Sequence, residues 1–207
     1  MKQLKALLFV ISVIIAPCAL QASEAVPHEI IETAVNELLS EFEIRRNELA
    51  QDEAKLFQLV ESVVVPRFDV PIIARLVLAK HWRTATDKQR RAFTDQFKTL
   101  LIRTYAKALF KYTGNEQMLV TPSSVKPEDK KTRVRTEVIL PGTSAIEVTY
   151  ALLKNAEEQW KIYDMTIDGI SLVKNYRVSY GDAVAQKGLD MLIVEMTAKN
   201  SQPEPKE

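Results

Sequence analysis

Cysteine is almost missing from this 207-residue chain: Cys18 is the only one, so no intrachain disulfide can form. Histidine is nearly as scarce, with only His28 and His81, and together these shortages remove the usual zinc frameworks. A metal enzyme would need an all-carboxylate site, and no such cluster stands out. There is no glycine-rich phosphate loop and no Ser-His-Asp ordering, so nothing in the chain is built to bind or hydrolyse nucleotide or to run a triad. An excess of one charge is missing too: 28 basic residues face 27 acidic ones, which gives no basis for nucleic-acid binding. Long apolar runs are confined to Ala6–Ala16, about half the ~20 residues that span a bilayer.

That short run is informative in its setting. Lys2 and Lys5 precede it, and the small residues Ala22, Ser23 and Ala25 follow. A charged start, an apolar centre and a small-residue cleavage zone describe a secretory signal peptide over residues 1–22, with cleavage after Ala22 or Ala25. Pro17 spoils the site that a lipoprotein would need before Cys18. The expectation is an exported, soluble chain without cysteine, its charges reduced to 26 basic and 27 acidic by loss of the two lysines. Its roughly 180 residues suffice for one domain with an ordinary hydrophobic core, assigned to 26–199, with a disordered tail over 200–207.

Within that domain helices come first. Ile31, Val35, Leu38 and Phe42 share one face of a helix over 27–47. A second helix runs over about 52–64, turning Leu56, Val60 and Val63 inward until Pro66 stops it. A third, from about Pro71 to His81, is apolar nearly all round and so must be covered on most sides. Thr86-Asp87-Lys88-Gln89 reads as a capping box that opens a fourth helix to about Lys111, with Phe93, Phe97, Leu100, Leu101 and Ala108 on its stripe and Gly114 as a stop.

Strand character then takes over. Gln117–Thr121 is short. Arg133–Leu140 alternates Val134, Val138 and Leu140 against Arg133, Arg135 and Glu137. Pro141-Gly142 makes a turn, Ile146, Val148, Tyr150 and Leu152 alternate next, and Trp160–Asp168 follows a polar turn at Asn155–Gln159. Consecutive strands with short turns predict an antiparallel meander, and helices followed by such a sheet predict an α+β domain. A last helix over about 181–199 carries Leu189, Leu192, Ile193 and Met196 in phase, with Gly188 placed to break it in two.

Two stretches carry a family resemblance: VVVPRFDVPIIARLVLAKHWRTATDKQRRAF, from Val63 to Phe93, and WKIYDMTIDGISLVKNYR, from Trp160 to Arg177. Together they resemble the MlaC family, also called the toluene-tolerance auxiliary family, and the likeness extends over roughly residues 27–197. It implies helices wrapped around a curved antiparallel sheet, a nuclear-transport-factor-two-like cone with an apolar cavity. It implies phospholipid as cargo, no cofactor and no metal, and a periplasmic location. The implied partners are an inner-membrane ABC transporter with an MCE-domain subunit and an outer-membrane lipoprotein–porin complex, served by a carrier, expected to be monomeric, that keeps the outer leaflet asymmetric.

The cargo sets a physical requirement. Two acyl chains hold about 30 methylenes at ~0.8 kcal/mol each, so on the order of 20 kcal/mol of exposure must be avoided in transit. Leu76, Val77, Val134, Val138, Ile146, Val148, Tyr163, Met165 and Ile167 are the candidates to line a dry cavity; the residues alone favour plain core for each, and the resemblance is what points some of them at a ligand. Lys80, Arg83, Arg90 and Arg91, with His81, form a basic cluster that is either a solvated face or a contact for lipid phosphate or an acidic docking surface. Asn175, Tyr176 and Arg177 are expected in the connection between sheet and last helix, as a candidate gate. Tyr163-Asp164 resembles the acid–phenol pair of ketosteroid-isomerase-like enzymes, but neighbours on a regular strand face opposite ways. A small-molecule enzyme on the same fold and a ligand-free adaptor are the alternatives.

Overall fold

A computed structural model describes residues 26–110, 117–139 and 144–202; the expected signal peptide, the Gly114 stop, the Pro141-Gly142 turn and residues 203–207 lie outside the described residues. Among the described residues seven α-helices and five strands are found, five helices first, then the strands, then two helices, as the coarse sequence pattern predicts. Helix α1 (Pro27–Gln51) opens on a proline, where a missing N–H costs nothing, and buries Ile31, Leu38, Phe42 and Leu49. It kinks at Arg45, whose guanidinium bonds Glu41 and Glu48. Hydrogen bonds from Arg45 and Lys55 hold the Glu48 carboxyl down at about 2.

Helix α2 (Glu53–Val63) starts where the Asp52 carboxylate accepts the Ala54 and Lys55 amides, and a single 3-10 turn at Val65–Arg67 accommodates Pro66. Asp69 caps α3 (Val70–Leu78) in the same manner, through the Ile72 amide at 3.0 Å. The third helix was expected to reach His81. It stops at Leu78, because Ala79 adopts φ 47° and ψ −112°, and the chain restarts as α4 (Lys80–Thr84). Positive φ is strained for any residue with a Cβ, by about 1–3 kcal/mol. Ala79→Gly is therefore expected to raise stability by about 1 kcal/mol after glycine's own entropic penalty, read as a higher urea midpoint. A lower midpoint would mean that the turn is not strained.

The capping box is present as expected: the Thr86 hydroxyl accepts the Gln89 amide at 3.2 Å, and the Thr86 amide donates to the Gln89 side chain at 2.9 Å. It opens α5 (Asp87–Phe110), a helix buried on two sides. Phe93, Phe97 and Leu100 pack with α3, α6 (Leu172–Lys187) and α7 (Leu189–Ser201), while Ile102 and Ala106 pack with α1 and α2. Ala108, expected on the buried stripe, is exposed. Gly188 separates α6 from α7 at φ 82°, the predicted break.

The sheet is a sequential antiparallel meander of β1 (Gln117–Val120), β2 (Lys131–Ile139), β3 (Ile146–Lys154), β4 (Trp160–Ile167) and β5 (Ile170–Ser171). Asp168 (φ 46°) and Gly169 (φ 80°) form the two-residue turn into β5; positive φ at both central positions is what a tight hairpin demands, and Asp-Gly supplies it. On the same edge at the other end of β4, Phe68 pairs with Ile162 and the Asp69 amide donates to the Ile162 carbonyl, tying the start of α3 to the sheet edge.

Candidate functional site

The strand register sorts the side chains into two faces. One carries Lys131, Arg133, Arg135, Glu137 and Glu147, all exposed. The other carries the apolar set, in rows running across the strands. The first row is Met118, Val138 and Ile146; the second is Val120, Thr136, Val148 and Ile167; the third is Val134, Tyr150 and Met165. Thr132, Leu152 and Ile162 form the fourth, and Lys154 with Trp160 the last.

Burial changes along these rows. Leu152, Ile162 and Trp160 are fully buried, and with Val134 they pack against Ile31 of α1. Met118, Val138 and Ile146, at the opposite end, are only half-buried, as are Met165 and Ile167. The face is thus closed at the end where β3 meets β4 and open at the end where β2 leaves the sheet. Apolar side chains with uncovered surface at one end of an otherwise packed face are where an apolar ligand would gain contact.

A polar pair sits in the middle of this face. Thr136 has no exposed surface, and its hydroxyl donates to the Val148 carbonyl at 3.3 Å. Burial raises the Tyr150 phenol pKa, partly offset by a hydrogen bond with Thr136. Tyr150 is nevertheless only partly buried as a residue. Neither residue was singled out from the sequence. The signal was available, since both fall on the same alternation as Val134, Val138 and Val148.

Of the residues expected to line a cavity, Val134, Val138, Ile146, Val148, Met165 and Ile167 share this face. Leu76 and Val77 do not: they belong to α3, where Val77 is fully buried in the helical cluster with Ile73, Leu78 and Phe97 and Leu76 packs at its margin. Tyr163 stands on the charged face, with the Lys131 ammonium 5.9 Å from its ring centre. The reason is a bulge: Ala151 pairs with Asp164 but Leu152 pairs with Ile162, so Tyr163 is the extra residue. The bulge also corrects the expectation for Tyr163 and Asp164, because the register puts both on one side. Asp164 is otherwise engaged, accepting the Ser171 hydroxyl at 2.6 Å and the Val173 amide at 3.0 Å, which fastens the start of α6.

The basic cluster is carried by helix α4 and the start of α5. Lys80, Arg83 and Arg91 are exposed. Arg90 is pinned, bonding the Trp82 carbonyl and Asp87 and lying over the Trp82 ring. Asn175, Tyr176 and Arg177 were expected in a connection and are instead inside α6, within its first two turns. Tyr176 packs edge-on to Phe97 at 5.1 Å, Tyr180 packs edge-on to Phe93 at 5.8 Å, and Arg177 Nε donates to the Leu76 carbonyl at 2.7 Å. These contacts hold α6 against α3 and α5, and the three residues lie in a helix instead of a linking segment.

Burial lifts the Tyr180 phenol to about 12 and raises that of Tyr176 further, with Tyr105 nearby adding to the latter. A phenol whose folded pKa is raised adds stability that is fully present below its unfolded pKa of 10 and lost as pH climbs through the folded value. Unfolding free energy should therefore fall from pH 10 to 12, and the tyrosinate absorbance of Tyr150, Tyr176 and Tyr180 should appear together with loss of tertiary structure. Full reversible ionisation at pH 10.5 with the fold intact would contradict their burial.

Among the described residues no group of three or more His, Cys, Asp and Glu side chains gathers as a metal site, and no helix is long and apolar enough to cross a membrane. Fold and face together define an α+β binding protein built around an antiparallel meander, whose apolar sheet face is buried at one end and half-exposed at the other. The family model of the MlaC protein matches residues 32–198. The chain belongs to the MlaC family. It is 24% identical over 183 residues to the intermembrane phospholipid transport system binding protein MlaC of Haemophilus influenzae, covering 87% of this chain and 85% of that one. It is 25% identical over 166 residues to the toluene tolerance protein ttg2D of Pseudomonas putida, covering 80% and 76%. Its fold is similar to that of a phospholipid-binding protein from Ralstonia solanacearum solved in complex with a phospholipid, at TM-score 0.77 and 29% identity, covering 86% of this chain and 98% of the other.

Proposed function

We propose that the protein is a non-enzymatic phospholipid carrier, holding acyl chains against the half-buried rows of the apolar sheet face. The observation that supports this most is the likeness to a protein solved with a phospholipid bound, spanning nearly the whole of that chain. The one-ended face fits the same reading, since acyl chains need a dry interior and a head group needs a route to water. The Thr136 hydroxyl bonds the Val148 carbonyl and the Tyr150 phenol, so the face presents little unpaired polarity to the chains. The engagement of Asp164 in fastening α6 argues against its use as a base.

In this reading the chain works in the periplasm, reached through the signal peptide. It exchanges lipid with an inner-membrane ABC transporter carrying an MCE-domain subunit and with an outer-membrane lipoprotein–porin complex. The energy comes from the transporter, and the effect is to maintain outer-membrane asymmetry. Native mass spectrometry of protein purified without detergent, followed by lipid extraction, tests the carrier reading. A bound mass matching a diacyl phospholipid is expected. A bare protein mass that persists after incubation with phospholipid vesicles would overturn it.

A further inference from the structure

Away from the sheet, the α3–α4 turn and helix α6 flank an open slot of about 260 Å³. Ala79 and Gly181 give it an apolar lining over the fully buried Val77, and Lys80, His81 and Arg177 stand around it. It thus brings together residues that the sequence had assigned to three separate roles. The surroundings are unusually basic. The segment 75–91 holds six basic residues and one acid, leaving 22 basic against 26 acidic in the rest of the chain, so a near-neutral protein concentrates its positive charge here.

Lys80 and Arg83 are exposed and have no ion-pair partner among the described residues; Asp182, next to Gly181, is the acid nearest in sequence to the slot's α6 wall. His81 Nε2 is buried without a hydrogen-bond partner among the described residues. The lining includes Ala79 at positive φ, and backbone strain of this kind collects at ligand clamps.

We propose that this slot is the docking site for an acidic protein segment, one large apolar side chain entering between Ala79 and Gly181 while flanking carboxylates pair with Lys80, Arg83 and Arg177. The proposal rests on the carrier reading, in which lipid must be handed to a protein partner. An apolar pocket inside a charged rim is the pattern of an interface hot spot: the anchor supplies affinity, and the charges supply orientation and association rate. A lipid head group fits less well, because its phosphate would meet an aliphatic floor. A flat anionic membrane would touch the lysine and arginine rim and leave the slot empty.

Gly181 offers a clean plug. Its φ is not in the positive range, and a Cβ there would meet nothing within 4 Å, so Gly181→Leu fills the slot without straining α6. The test selects a displayed library of random 12-residue peptides on the wild-type protein and re-measures the winners on Gly181→Leu and Lys80→Glu. Enriched peptides are expected to carry Phe, Trp, Leu or Met flanked by Asp or Glu, to bind both variants at least tenfold more weakly, and to weaken with salt. No enrichment, peptides without the acidic–apolar pattern, or winners that bind Gly181→Leu equally would each overturn the proposal. Vesicles of phosphatidylglycerol are tested alongside; binding to them that Gly181→Leu abolishes would reassign the face to membranes. Phospholipid occupancy, read separately by native mass spectrometry, is expected to be unchanged in Gly181→Leu. An empty wild-type protein would remove the carrier reading whatever the peptides do.

Discussion

Val138→Glu is expected to empty the protein of phospholipid while leaving it folded. Val138 lies in the half-buried row with Met118 and Ile146, at the open end of the apolar face. A carboxylate there can turn toward water in the free protein, so the loss of folding stability should stay near 1 kcal/mol or below. With acyl chains present the same group must be desolvated or must displace them, a penalty of several kcal/mol. Each 1.4 kcal/mol is a factor of ten in affinity, so occupancy should fall at least a hundredfold. The control is Leu152→Glu on the same face: Leu152 has no exposed surface, sits between Ile162 and the strand beyond it, and offers no exit for a charge. That variant should not fold. Native mass spectrometry with a thermal melt reads both; a lipid-filled Val138→Glu would show that the first row does not contact the cargo.

Phe97→Ala is expected to be the most destabilising truncation in the helical layer, by about 3–5 kcal/mol. Phe97 is 1% exposed, stacks on Phe93 with centroids 5.6 Å apart, and receives the edges of Tyr176 and Tyr180. Removing it opens a void where α3, α5, α6 and α7 meet, and three aromatic rings lose a face. For a domain of this size such a loss lowers the melting temperature by roughly 10 °C. Its lipid occupancy at 4 °C should survive, since the ring belongs to the helical cluster and not to the sheet face. A loss under 1 kcal/mol would mean that the cluster repacks freely.

The mismatches between sequence and structure have identifiable physical causes. Helix α6 was recognised only from residue 181 because Leu172–Tyr180 is rich in branched and aromatic residues and reads poorly as helix. It forms because Asp164 and Ser171 cap its start and because Tyr176 and Tyr180, one turn apart, seat on Phe97 and Phe93. The split at Ala79 was invisible because alanine ordinarily continues a helix. Ile102 and Ala106 were overlooked because α5 serves two clusters, and a single stripe cannot describe a helix buried on both sides.

Local chemistry alone determined much of this protein. Capping side chains start α2 and α5, proline follows the end of α2, Asp-Gly turns β4 into β5, Gly188 divides the last helices, and period-two alternation assigns the faces of β2 and β3. These are decided by atoms within a few residues of one another, so they are legible in the chain. Tertiary structure decided which half of an apolar face is packed tight and which remains uncovered. It also placed Tyr163 on the charged side through a bulge, and brought Ala79, Lys80 and Arg177 to one slot. Those outcomes depend on register between strands and on how helices distant in sequence meet, and no residue carries that information by itself.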